Sequence, residues 1–204
     1  MELRDALTQI SEIRQQMARA EVFRGYRALP VAFSGLLAFV AAAAQGLFLR
    51  DPGQHIAAYL SLWTGAAALS AFAAGLEMVI RSRATVWTLG REITCLAVEQ
   101  FVPCLAAGAL LTVVLVRTAP ESLWMLPGLW QVMFSLGVFA SCRLLPRATF
   151  GVAVFYLLAG ALSLALARGE FAFSPWAMAL PFGFGQFFAA GVLYRTLECH
   201  DGQS

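Results

Sequence analysis

ITCLAVEQFVPCLAAGALLTVVLV, from Ile93 to Val116, is an apolar run long enough to cross a bilayer as a helix, yet it holds Glu99 and Gln100 side by side and then Pro103 and Cys104. An ionisable group at membrane depth costs several kcal/mol unless it faces protein or water. The reading that follows is a helix placed inside a bundle, with the remaining chain as scaffold around it.

The flanking sequence supports that scaffold. Of 204 residues 60% are hydrophobic, and the mean hydropathy is +0.72. This is above the roughly 45–50% apolar content of soluble domains. Apolar stretches long enough to span about 30 Å of hydrocarbon recur six times, over 28–49, 56–80, 93–116, 123–145, 148–167 and 175–197. They do not alternate as barrel strands would. The predicted fold is therefore an all-α membrane protein, a bundle of six transmembrane helices in one domain, preceded by an amphipathic helix over 1–27 and followed by a short tail over 198–204.

All fourteen basic residues are arginine, and their placement predicts the topology. If six helices alternate, Arg4, Arg14, Arg19, Arg24, Arg27, Arg81, Arg83, Arg91, Arg143, Arg147 and Arg195 share the side of the N-terminus, and only Arg50, Arg117 and Arg168 oppose them. The positive-inside rule then puts both termini in the cytoplasm, in a multi-pass protein of a bacterial inner membrane. The formal net charge of +2 is small. Topology accounts for the arginines, so nucleic acid is not an expected partner.

The first 27 residues do not resemble the basic stub and apolar core of a cleavable signal peptide. Leu3, Ala6, Ile10, Ile13, Met17 and Ala20 instead recur at alternating spacings of three and four, while acids and bases occupy the other faces. Such a seam can lie on the inner leaflet, pair with its own copy or dock on a partner. Its mixed charge and small alanines favour protein contact.

Within the spans, Ala38, Ala42 and Gly46 form a small-residue face, and Ala67, Ala71 and Gly75, with Ala66, Ser70 and Ala74, repeat the device on the next helix. The two are expected to pack as a hairpin. Arg50-Asp51-Pro52-Gly53 reads as its turn, with Tyr59 and Trp63 as interfacial anchors. Arg81 to Glu92 reads as the longest internal connection, able to form a short interfacial helix with Val86, Trp87 and Leu89 dipping into the membrane. Ala107-Gly108-Ala109-Leu110 recurs as Ala159-Gly160-Ala161-Leu162 with Arg117, Ser122, Trp124 and Arg143 at offsets like those of Arg168, Ser174, Trp176 and Arg195, which raises the possibility of duplicated hairpins. In the last span Leu180-Pro181-Phe182-Gly183-Phe184-Gly185 should kink or unwind the helix just before Gln186.

The candidate intramembrane polar site is Glu99 and Gln100, with Glu77, Arg143 and Gln186 as possible neighbours. It reads either as a proton-, cation- or ligand-sensitive site or as a carboxylate satisfied by Arg143 and nearby polar groups. Glu77 alone is accounted for by an i,i+4 pair with Arg81. Cys95, Cys142, Cys199 and His200 match no zinc or haem spacing, so no metal site is expected. No Walker A, GxGxxG, CxxCH, HExxH or GxSxG pattern is present, so neither a cofactor nor an enzymatic activity is expected.

Leu7-Thr-Gln-Ile-Ser-Glu-Ile-Arg-Gln-Gln-Met-Ala-Arg19, Phe23 and Ser34-Gly35-Leu36-Leu37 together resemble the opening of uncharacterised small bacterial membrane proteins that carry an amphipathic helix before a helical bundle. The resemblance covers about the first forty residues and implies no activity. The overall layout is also similar to permease subunits of ABC-2 exporters and to vitamin-binding subunits of energy-coupling-factor transporters, a likeness of architecture only. The expected function is that of a non-enzymatic membrane protein working through helix–helix contacts, as a homodimer or as an accessory or regulatory subunit. The alternative is a small-solute transporter or permease subunit with a polar site around Glu99. Expected partners are the lipid bilayer and a second membrane protein or copy.

Overall fold

A computed structural model describes residues 28–84, 88–143, 145, 147–167 and 171–195, and every regular element among them is helical. Six helices are long and apolar enough to cross a membrane, the architecture of a multi-pass membrane protein. They are α1 (Ala28–Phe48), α2 (Ile56–Ala84), α3 (Thr88–Thr118), α4 (Leu126–Ser141, whose membrane span begins at Pro120), α5 (Thr149–Leu166) and α6 (Pro175–Leu193). The amphipathic segment expected over 1–27, with its seam from Leu3 to Ala20, lies outside the described residues, as does the tail.

Prolines set several boundaries. Pro120 opens a 3-10 turn over Pro120–Met125, and Pro127 sits in the first turn of α4. A missing N–H costs nothing there, because the first turn's donors have no partner within the helix. At the α1–α2 corner, the backbone N–H groups of Gln54 and His55 donate to the Asp51 carbonyl at 3.1 and 3.3 Å, closing the expected turn. The connection expected over Arg81 to Glu92 is shorter than that, and Val86 and Trp87 lie outside the described residues. Helix α2 continues to Ala84 and α3 begins at Thr88, so most of that stretch is helical. At about 1.5 Å per residue, α2 and α3 measure about 43 and 46 Å, well beyond a hydrocarbon core of about 30 Å.

Neighbours in the array run antiparallel in the order α2, α1, α6, α5, α4, α3. The two most extensive pairings join α1 with α6 and α4 with α5. A Cβ on Gly160 would lie 2.9 Å from the Gly128 carbonyl, and one on Gly128 would lie 3.0 Å from the Gly160 carbonyl, so both positions need glycine for the backbones to meet. The Ser135 hydroxyl donates to the Ala153 carbonyl across the same contact. In the 18-residue apolar window of the span Pro120–Ser141, 44% of residues are buried, against 11% in that of Ile56–Glu77 and 6% in that of Val98–Thr118. Helix α4 is thus central, and α2 and α3 are the peripheral helices.

Helix α2 meets α1 through Tyr59, Trp63, Ala66 and Ser70, which are buried or half-buried, whereas Ala67, Ala71 and Gly75 are exposed. Ala74 is exposed too, so among the described residues one small-residue face is covered at Ala66 and Ser70 and the other is left open. Tyr59 and Trp63 are buried in a core with Ala38, Ala41, Ala42, Met178 and Ala179 rather than anchored at an interface. A second core stacks aromatic rings from four helices. Phe134 of α4 lies 5.2, 4.7 and 5.6 Å from Phe101 of α3, Tyr156 of α5 and Phe182 of α6.

Candidate functional site

Two polar groupings stand out from the apolar array, one on its surface and one in its interior. The surface grouping is on α3. This helix packs on α4 through Phe101, which covers Gly137, through Gly108 against Met133, and through Thr112, whose hydroxyl accepts the Trp130 indole N–H at 2.9 Å. Glu99 precedes Gly108 by nine positions, and nine steps of about 100° amount to two and a half turns. Glu99 therefore points directly away from α4. Both Glu99 and Gln100 are exposed, which corrects the expectation that this helix is enclosed by the bundle.

Pro103 lies within α3, four residues after Glu99. Having no N–H, it cannot donate to the Glu99 carbonyl. The outer face of α3 thus presents a carboxylate, a backbone carbonyl without its helical donor and a primary amide within one turn. All three border Val98–Thr118, the apolar span of the helix.

The structure does not gather the five residues of the predicted polar site. Glu77 is half-buried on α2, Glu99 and Gln100 face outwards on α3, and Arg143 is exposed beyond the end of α4. Gln186 of α6 is half-buried, its Cβ set against Gly35 of α1. It approaches the Tyr156 hydroxyl of α5, but no hydrogen bond of good geometry forms, and that hydroxyl is buried without a partner among the described residues. Among the described residues, no three His, Cys, Asp or Glu side chains gather where they could hold a metal ion.

The interior grouping consists of two buried amides that the sequence reading passed over. Gln45 of α1 donates to the Phe173 carbonyl at 2.7 Å and accepts the Trp63 indole N–H at 2.8 Å. Gln131 of α4 donates to the Ala177 carbonyl at 3.0 Å and accepts the Ser163 hydroxyl at 3.3 Å. Ala177 precedes Pro181 by four residues, so its carbonyl is the one that Pro181 deprives of a helical donor. Between them the two amides pin the start of α6 to α1, α2, α4 and α5. The expected break in α6 is a π turn over Leu180–Phe184, with Phe39 of α1 seated on Gly183 and Tyr156 of α5 on Gly185. The signal for these amides is present in the sequence, since each is the one amide side chain in a helix whose other polar side chains are serine hydroxyls.

The interior grouping is satisfied by the chain itself and holds α6 in place; the surface grouping on α3 is open to whatever lies outside. Comparison of the chain with protein-family models, with curated proteins and with solved structures finds no match.

Proposed function

We propose that this chain is a non-enzymatic protein of a bacterial inner membrane, with both termini cytoplasmic, that works through helix–helix contacts made by the outer face of α3. It acts as a homodimer or as an accessory or regulatory subunit of a membrane complex. The observation that carries this reading is the position of Glu99 opposite the α4-packed side of an apolar helix. At the end of the apolar span, the carboxylate, the Glu99 carbonyl and the Gln100 amide take their partners from headgroups and water or from another protein. A neighbouring protein helix supplies them, and polar side chains between membrane helices act in this way.

A photo-reactive amino acid at Leu110, further along the same face, tests the reading in native membranes. The expected product is a protein–protein adduct that is lost with Glu99→Leu. Adducts to lipid alone would overturn it.

The transport reading draws support from one feature, the π turn in α6 beside Gln186 and the unpartnered Tyr156 hydroxyl, since π turns recur at functional sites. On that reading the polar site moves from Glu99 to the α5–α6 contact. Uptake or export that survives Gln186→Ala and Tyr156→Phe unchanged would exclude it.

A further inference from the structure

We propose that the start of α5 is a binding site for a phosphate group, and that the headgroup of an anionic phospholipid is its source. The inference is independent of what covers α3. Arg143, Arg147 and Arg195 lie exposed at the end of the bundle where α5 begins, and none is paired with an acid among the described residues. The described acids of this end, Glu77 and Glu99, belong to the peripheral helices α2 and α3. Helices α1 and α6 separate Glu77 from α5, and Glu99 points away from α4.

Ring contacts set the register of the three cations. Phe139 of α4 meets Phe150 of α5 with centroids 5.2 Å apart, and Arg143 follows Phe139 by four residues, on the same face and about 6 Å nearer the end. Phe188 of α6 meets Phe155 of α5 at 6.4 Å and lies over Gly151. Arg195 follows Phe188 by seven residues, two turns and about 10 Å beyond. Helical side chains lean toward the N-terminus of their own helix, so both guanidinium groups return toward the level of Thr149. Arg147 is in the turn that leads into α5, where its carbonyl accepts the Phe150 N–H at 3.1 Å. The cations thus approach the first turn of α5 from α4, from α6 and from the connection itself.

That first turn has no side-chain cap, its N-cap being Ala148, and it carries the positive end of the helix dipole. Thr149, the first residue of the helix, is 7% exposed, and its hydroxyl is buried without a partner among the described residues. Its Cβ leans toward the helix start, which directs the hydroxyl to the same end as the cations. A phosphate held by the guanidinium groups supplies the missing acceptor and balances their charge, the two needs that bring phosphates to helix N-termini. Phe150, Phe184 and Phe188, exposed beside the site, offer an apolar surface to acyl chains. Basic sites between helices at a membrane boundary recognise lipid headgroups in this way.

The test is native mass spectrometry of the delipidated full-length protein, titrated with dioleoylphosphatidylglycerol or dioleoylphosphatidylcholine. Phosphatidylglycerol should bind about fivefold or more tighter than phosphatidylcholine. Arg143→Gln, Arg147→Gln and Arg195→Gln combined should weaken it about tenfold or more. Arg117→Gln, in the last turn of α3 at the opposite end, should leave it unchanged. Thr149→Val matches the side chain's shape and removes the hydroxyl. It should weaken phosphatidylglycerol binding about threefold or more without lowering the thermal stability of the lipid-free protein. Equal binding of the two lipids overturns the site, as does binding indifferent to the arginine variant. Indifference to Thr149→Val alone overturns the assignment of the phosphate to the start of α5 and leaves only a charged surface. Displacement of phosphatidylglycerol by inorganic phosphate, lost in the same variants, keeps the phosphate site and overturns the lipid as its source.

Discussion

Gln131 does two jobs with one amide. Its N–H groups serve the Ala177 carbonyl, which Pro181 leaves without a donor, and its oxygen serves the Ser163 hydroxyl. Replacing it with leucine preserves bulk but strands both groups in a buried setting, a loss of about 1–2 kcal/mol. Gln131→Leu should therefore lower stability measured by reversible denaturation in detergent or bicelles. The loss should shrink in a Pro181→Ala background, where the helix regains the N–H that Ala177 lacks. A full, undiminished loss in that background would show that the amide acts on something other than the proline-orphaned carbonyl. The sequence exposed both halves of this interaction, a lone glutamine after Trp130 and a proline inside an apolar span. It did not expose their meeting, because which carbonyl a side chain reaches depends on how α4 and α6 are juxtaposed. The same limit explains Glu99. Its cost in lipid was legible, but whether a helix side is turned inwards or outwards depends on which other helices surround it.

At the scale of elements, identical local sequence has been put to different uses. Gly108 and Gly160 stand in the same Ala-Gly-Ala-Leu setting, and both face α4. A Cβ on Gly108 would meet Met133 at 3.8 Å, an ordinary contact, whereas one on Gly160 would press on the Gly128 carbonyl and the Val132 backbone nitrogen at 2.9 and 3.0 Å. Backbone cannot swing aside as a flexible side chain can. Gly160→Ala should cost about 1–3 kcal/mol by overpacking, while Gly108→Ala should be neutral or slightly stabilising through helix propensity. Equal effects in thermal denaturation would contradict the packing described for α4 and α5. If the two hairpins were duplicates in contact as well as in sequence, Gly160 would face α6 as Gly108 faces α4. Spacing and composition sufficed to find six helices and the break in α6. They did not separate the two small-residue faces of α2, since Ala66-Ser70 and Ala67-Ala71 are equally suited to packing and only the neighbour's position selects one.

For the whole molecule, the array leaves its two longest helices at the periphery, and their faces carry the open questions of function. On the proposed topology, the α4–α5 connection, with Cys142 at its start, lies on the cytoplasmic side together with the N-terminus of α1. Cys142 follows the last residue of α4 and is half-buried, and its burial pushes the thiol above the ordinary cysteine range. Since the thiolate is the reactive form, a raised value means slow alkylation near neutral pH. A variant retaining Cys142 as its sole thiol should react with a membrane-impermeant maleimide in inverted vesicles and not in right-side-out ones. The rate should climb about tenfold per pH unit and keep climbing past the usual thiol value of about 8.5 before levelling. Labelling from the outer side would reverse the whole topology, because one exposed orientation fixes the direction of every helix in an alternating bundle. A rate that levels at the ordinary thiol value would leave the topology intact and show that the end of α4 is more open to water than its packing indicates.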